Sequence, residues 1–173
     1  MEVRDYNGSG RWSRDGIIAR YRQYCRQLGV DAATELAPRE HRTENVHWIY
    51  PAMDEVIRGI EAGDRACIAI GLDFIEEDEH FPFGKVLKSN TARALRRAHL
   101  DGAQIQRVRK RVFDMLLAGK VPHEFEQYAK LVRHIGVGER WEDVEQRISR
   151  DNPYVVRWFN YFRQARKDEM SAV

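Results

Sequence analysis

The chain has 173 residues, 43% of them hydrophobic and 32% charged, which fits one globular domain with a core and excludes collagen-like, low-complexity and disordered classes. Twenty-nine Lys and Arg against twenty-seven Asp and Glu leave a net charge of +2, so overall charge selects neither nucleic acid nor an acidic partner. No stretch has the apolar length of a membrane span, and the N-terminus MEVRDYNGSGRWSRDG lacks the apolar core of a secretory signal. A cytoplasmic location and no membrane partner are therefore expected, with Cys25 and Cys67 as buried reduced thiols.

Residues 1–12 read as an irregular segment, with turn chemistry at Asn7-Gly8-Ser9-Gly10. Ser13 is the expected N-cap of a first helix over about 14–28, where Ile17, Ile18, Tyr21, Cys25 and Leu28 recur at helical spacing before Gly29. Residues 31–36 suggest a further helical turn, and the polar run from Ala37 to Val46 a loop. A second helix starts near Pro51, carries Met53, Val56, Ile57 and Ile60, and stops at Gly63. Asp64 caps a third, to about Glu79, whose Cys67, Ile68, Ala69, Ile70, Leu72, Phe74 and Ile75 are apolar nearly all round; such a helix belongs in the middle of a packed protein.

After the break Phe81-Pro82-Phe83-Gly84, helices are expected over about 85–99 and 103–118, the latter with Ile105, Val108, Val112, Met115 and Leu116 in register. A sixth begins at Pro122, a seventh covers about 139–149, and an eighth, capped by Asp151 with Pro153 in its first turn, carries Val155, Trp158, Phe159 and Phe162. The tail 168–173 is expected to fray. The spacing predicts no strand. The expected fold is all-α, seven to eight antiparallel helices in one domain over 13–167, arranged as an irregular bundle or a short α-α superhelix.

An offset of 56 residues lays Val56 on Val112, Ile57 on Phe113, Ile60 on Leu116, Ala62 on Ala118, Gly63 on Gly119, Leu72 on Tyr128 and Ile75 on Leu131. Each unit is an apolar helix, a glycine stop and a second helix. This resembles the helical hairpins of HEAT and armadillo-type repeats, with a period longer than their usual 40–47 or so. The resemblance implies stacked hairpins that present a groove to a partner.

Charge is split along the chain. Residues 54–80 hold nine acids and two bases, a net −7, and residues 85–111 hold nine bases and one acid, a net +8. One reading is of solvated faces of neighbouring helices; another is a polarised surface for a protein partner, with Phe81, Phe83, Lys85, Lys88, Arg93, Arg96 and Arg97 as the binding residues and the two phenylalanines as apolar anchors. A nucleic-acid alternative adds Arg107, Arg109, Lys110 and Arg111; no aromatic lies between Lys85 and Arg111 to stack on bases, so contact would be with phosphates.

A third alternative is a helical-bundle enzyme with a carboxylate-imidazole metal site. Glu77-x-x-His80, with Glu76 alongside, has the spacing of the Glu-x-x-His ligands of di-iron bundles, and Glu44-x-x-His47 repeats it. There is no Walker loop, dinucleotide fingerprint, nucleophile elbow or His-Glu-x-x-His, and no cofactor is expected. The leading expectation is a non-catalytic interaction module, with self-association through the aromatic C-terminal helix an additional possibility.

Overall fold

In the computed structural model, residues 1–171 are described. In chain order they form β1 (Glu2–Asp5), a 3₁₀ turn (Gly10–Trp12), α1 (Arg14–Leu28), β2 (Glu40–Arg42), β3 (Val46–Ile49), α2 (Met53–Glu61), α3 (Arg65–Glu77), α4 (Gly84–Arg97), α5 (Gly102–Leu117), α6 (Phe125–Ile135), α7 (Arg140–Arg147) and α8 (Pro153–Ser171). The fold is mainly helical, as expected, with eight α-helices among the described residues. Its contacts divide into two units, Met1–His99 and Leu100–Val173, a finer division than the single domain read from the sequence.

The first unit contains a small sheet that the sequence reading missed. Its strand order is β1-β3-β2. β1 runs parallel to β3 with Glu2 opposite Val46 and Asp5 opposite Ile49, and β2 runs antiparallel with Glu40 opposite Ile49 and Arg42 opposite His47. Every residue of β1 and β2 is exposed, so neither strand shows the apolar alternation by which a half-buried strand is recognised. Asn7 ties the sheet to the helices. Its side-chain amide donates to Asp5 and its carbonyl oxygen accepts from the Ala52 backbone N–H at 2.8 Å, just ahead of α2.

Helix α3 is the centre of this unit. Ala66 to Ile75 are buried without interruption, and α1, α2 and α4 all pack on it. Gly71 permits that close packing, since a Cβ there would stand 2.6 Å from Ile60 and 3.2 Å from Thr91. Asp64 starts the helix as predicted. One carboxylate oxygen accepts from the N–H groups of Ala66 and Cys67 at 2.9 and 3.1 Å, and the other accepts from the hydroxyls of Tyr21 and Thr34, both at 2.6 Å. Burial alone would raise its pKa; the four donors outweigh that and hold it below the usual carboxylate range. α1 also matches its prediction, with Ser13 accepting from Gly16 N–H and Gly29 in the left-handed conformation.

In the second unit α5 packs against α6 and α7, and α6 against α8. A capping box between Asp101 and Gln104 opens α5. Phe113, Trp141 and Phe162 form the aromatic centre, their ring centroids 5.4–5.8 Å apart. The residues paired by the offset of 56 are alike in burial, each within its own unit: Val56 and Val112, Ile60 and Leu116, Leu72 and Tyr128, Ile75 and Leu131 are all 2% exposed or less.

Four local expectations are corrected. Residues 1–12 hold a strand and a 3₁₀ turn rather than an irregular segment. Residues 31–36 are not helical, although Leu36 is buried. The cap of α8 is Asn152, whose side chain accepts from Tyr154 N–H at 2.9 Å, while Asp151 accepts from Ser149. The helix continues to Ser171 instead of fraying at 168; residues 172 and 173 lie outside the described part.

Asp64→Ala removes a helix cap and two side-chain hydrogen bonds together, and is expected to lower stability by about 2–3 kcal/mol at neutral pH in denaturant unfolding. Because the folded pKa is depressed, this contribution is present above the unfolded value and is lost as pH falls through the folded one. The gap between wild type and variant therefore narrows only below the ordinary carboxylate range.

Candidate functional site

The segment between α3 and α4 makes two left-handed turns. Asp78, after the last residue of α3, has φ 50°, and Phe83, before the first residue of α4, has φ 57°. Between them Phe81 turns inward and is only 4% exposed, edge-on to Phe74 at 5.4 Å. Its ring covers Gly8, where a Cβ would lie 2.6 Å from the aromatic carbons. Phe81 is thus a core residue and not the surface anchor expected from sequence.

Phe83 points the other way and is 58% exposed. Its ring meets Tyr6 edge-on at 5.0 Å, and Tyr6 in turn lies 6.3 Å from Tyr50. Val86, in the first turn of α4, is 59% exposed, and Lys85 is exposed beside it. The Arg39 guanidinium stands 5.8 Å from the Tyr50 ring and leads into an open cleft of about 360 Å³. Arg39, Asp54, Ile57, Arg58, Arg93 and Arg97 contribute to its lining, together with Glu61 and Asn90.

Within the cleft Arg39 pairs with Asp54 at 3.5 Å and Arg97 with Glu61 at 3.4 Å, while Arg58 pairs with Glu55. Arg93 donates to the Asn90 side chain at 3.3 Å. Four guanidinium groups against the carboxylates of Asp54 and Glu61 leave the lining positive. Of the expected binding residues, Phe83, Lys85, Arg93 and Arg97 are on this surface and Arg96 is half-buried. Lys88 is corrected. It is 7% exposed, with its ammonium on the Asp78 carboxylate, where it holds the end of α3. Tyr6, Tyr50, Arg39 and Arg58 were not singled out in the sequence, since they join the surface from the sheet and α2.

The acids of α3 do not gather into a metal site. Glu77 accepts from the Trp12 indole N–H at 2.7 Å and from two nitrogens of Arg20 at 3.0 and 3.3 Å. Asp73 accepts from Arg20 at 3.1 Å and from the Tyr24 hydroxyl at 2.7 Å. Arg20 is 5% exposed and lies over the Trp12 ring, 4.1 Å from its centroid. Glu76 is engaged as well, and His80 is exposed beyond the end of α3. In the second Glu-x-x-His, Glu44 is exposed between β2 and β3, while His47 pairs with Glu40 at 2.9 Å. Among the described residues no three His, Cys, Asp or Glu side chains are placed to hold one ion.

The additional arginines of the nucleic-acid reading are largely engaged. Arg109 donates to the carbonyls of Gly136 and Ile135 at 2.7 and 3.0 Å, closing the end of α6, and burial pulls its pKa below the usual arginine value. Lys110 pairs with Asp114 at 2.6 Å, and Arg107 and Arg111 have interactions of their own. Cys25 and Cys67 are both buried and free; burial first of all pushes the Cys67 thiol up to about 12, which keeps it protonated and a poor nucleophile. No described helix is long and apolar enough to cross a membrane.

Arg20 is the counter-charge of two carboxylates in a nearly dry site. Arg20→Ala is expected to cost about 3–5 kcal/mol, because it removes the buried guanidinium that Asp73 and Glu77 share. Arg20→Met should cost less, since it retains part of the packing on Trp12; equal losses in denaturant melts would mean that the charge alone matters.

Comparisons of the chain with protein-family models, with curated proteins and with solved structures return no match.

Proposed function

We propose that this protein is a non-catalytic helical interaction module. It holds a protein partner on the surface that runs from Phe83 and Val86 across Tyr6 and Tyr50 to the arginine-lined cleft. The observation that carries the reading is the backbone of Phe83. A bulky L-residue in the left-handed region is disfavoured by about 1–2 kcal/mol, and the ring brought there is left largely in water. Core packing does not account for it, since the neighbouring Phe81 fills that role.

The chemistry of the surface suggests the chemistry of the partner. An exposed ring with aromatic neighbours suits a bulky apolar side chain, and the positive cleft suits carboxylates next to it. The resemblance to HEAT and armadillo hairpins supports the same class of function, because such proteins present surfaces to partners. The structure gives the nucleic-acid alternative less support, since Lys88 and Arg109 hold helix ends together.

The test combines stability with capture. Phe83→Gly relieves the φ strain and loses the Tyr6 contact, so the thermal midpoint is expected to move by no more than a few degrees, equivalent to about 1 kcal/mol. The tagged wild-type chain should recover a defined protein set from its own cell lysate that survives nuclease, and Phe83→Gly and Arg93→Glu should each lose it. Partners that vanish with nuclease, or the same set recovered by Phe83→Gly, would remove the basis for this reading.

A further inference from the structure

We propose that β1 is a self-recognition edge, through which two copies of the chain join their sheets across a two-fold axis. The inference stands independently of the Phe83 surface. β1 is an outer strand of the sheet, with β3 on one side. Glu2 N–H donates to the Asn45 carbonyl and Tyr6 N–H to the Ile49 carbonyl, and in a parallel ladder this directs the even-numbered residues of β1 towards β3. The N–H and C=O groups of Val3 and Asp5 therefore point away from the sheet, along an edge where all four residues are exposed.

A two-fold axis pairs two such edges antiparallel, and only odd-numbered residues can occupy hydrogen-bonded positions. This parity leaves few registers, and charge separates them. Placing Val3 opposite Asp5 sets Arg4 against Arg4, and placing Asp5 opposite Asp5 sets like carboxylates together. Placing Val3 opposite Val3 sets Glu2 against Arg4 twice, in the non-hydrogen-bonded positions where facing side chains are closest, about 4.5–5.5 Å between Cβ atoms. Glu2 and Arg4 share a face of their own strand and already pair at 2.8 Å. The joined edges would close a square of four alternating charges on one face of the sheet. The two Val3 side chains, each 57% exposed in the single chain, would meet on the other face.

Charged residues on an edge strand ordinarily discourage pairing. Here the sequence Glu-Val-Arg-Asp discourages other registers and favours one. Four residues form a small interface, so association belongs to the weak class of contacts and depends on concentration.

The experiment is sedimentation equilibrium at low salt on the full chain with any tag at its C-terminal end, from about 10 μM to about 1 mM, a range suited to weak association. The wild-type mass should rise from 20.3 kDa towards twice that value. Glu2→Arg alone and Arg4→Glu alone should each weaken association at least tenfold. An equimolar mixture of the two should restore it, because one chain then presents arginine at both positions and the other presents glutamate at both. Unchanged circular dichroism and melting would confirm that these exposed substitutions leave the fold intact. A wild-type chain that stays at 20.3 kDa throughout, self-association that neither single variant weakens, or a mixture no stronger than its components would overturn the proposal.

Discussion

The first unit depends on how α3 ends. Ten consecutive buried residues make this helix the framework on which α1, α2 and α4 are placed, yet Asp73 and Glu77 bring two carboxylates into its last turns. Negative charge is unfavourable at the C-terminal end of a helix and costly in a site with little water. Arg20 resolves both problems from α1, and its position over Trp12 ties the 3₁₀ turn to the same centre. Together with the Tyr21 hydroxyl on Asp64 and the Tyr24 hydroxyl on Asp73, that guanidinium joins α1 to α3.

The geometry at the surface follows from the same helix end. Asp78 leaves α3 in the left-handed conformation and is held by Lys88 from α4. The chain then reverses within a few residues before Gly84. Phe81 anchors the reversal in the core against Phe74, which leaves Phe83 to complete the turn with positive φ and its ring outside. A buried aromatic and an exposed one two residues apart are thus parts of one turn. The proposed interaction surface exists because that turn is pinned on its inner side.

The sheet contributes differently. Its strands are short and bring few residues to the core, with His47 the buried residue of β3. Asn7 nevertheless joins the end of β1 to the start of α2, close to Tyr6, whose ring meets both Phe83 and Tyr50. The proposed surface is assembled from three distant stretches, and none of them carries a recognisable motif by itself.

The helices were legible in the sequence because each is specified locally. Ser13 and Asp64 cap as their side chains allow, glycines end helices where φ must be positive, and apolar spacing identifies the inward faces of α2, α5 and α6. The charge split was equally plain in the sequence, but which charges are free was not, because a lysine such as Lys88 is written the same way whether it faces water or is itself buried against a carboxylate. Strands β1 and β2 were invisible for a related reason: their residues are all exposed, and backbone pairing with β3, far along the chain for β1 and across a short connection for β2, leaves no side-chain pattern. What the sequence determined by itself is therefore the eight main helices, several of their ends and their apolar faces, which depend on residues within a few turns of one another. Only the tertiary structure decided that Phe81 is core and Phe83 surface, that Arg20 neutralises the acids of α3, and that β1 has an open edge, because each depends on groups that are distant in the chain and meet only when it folds.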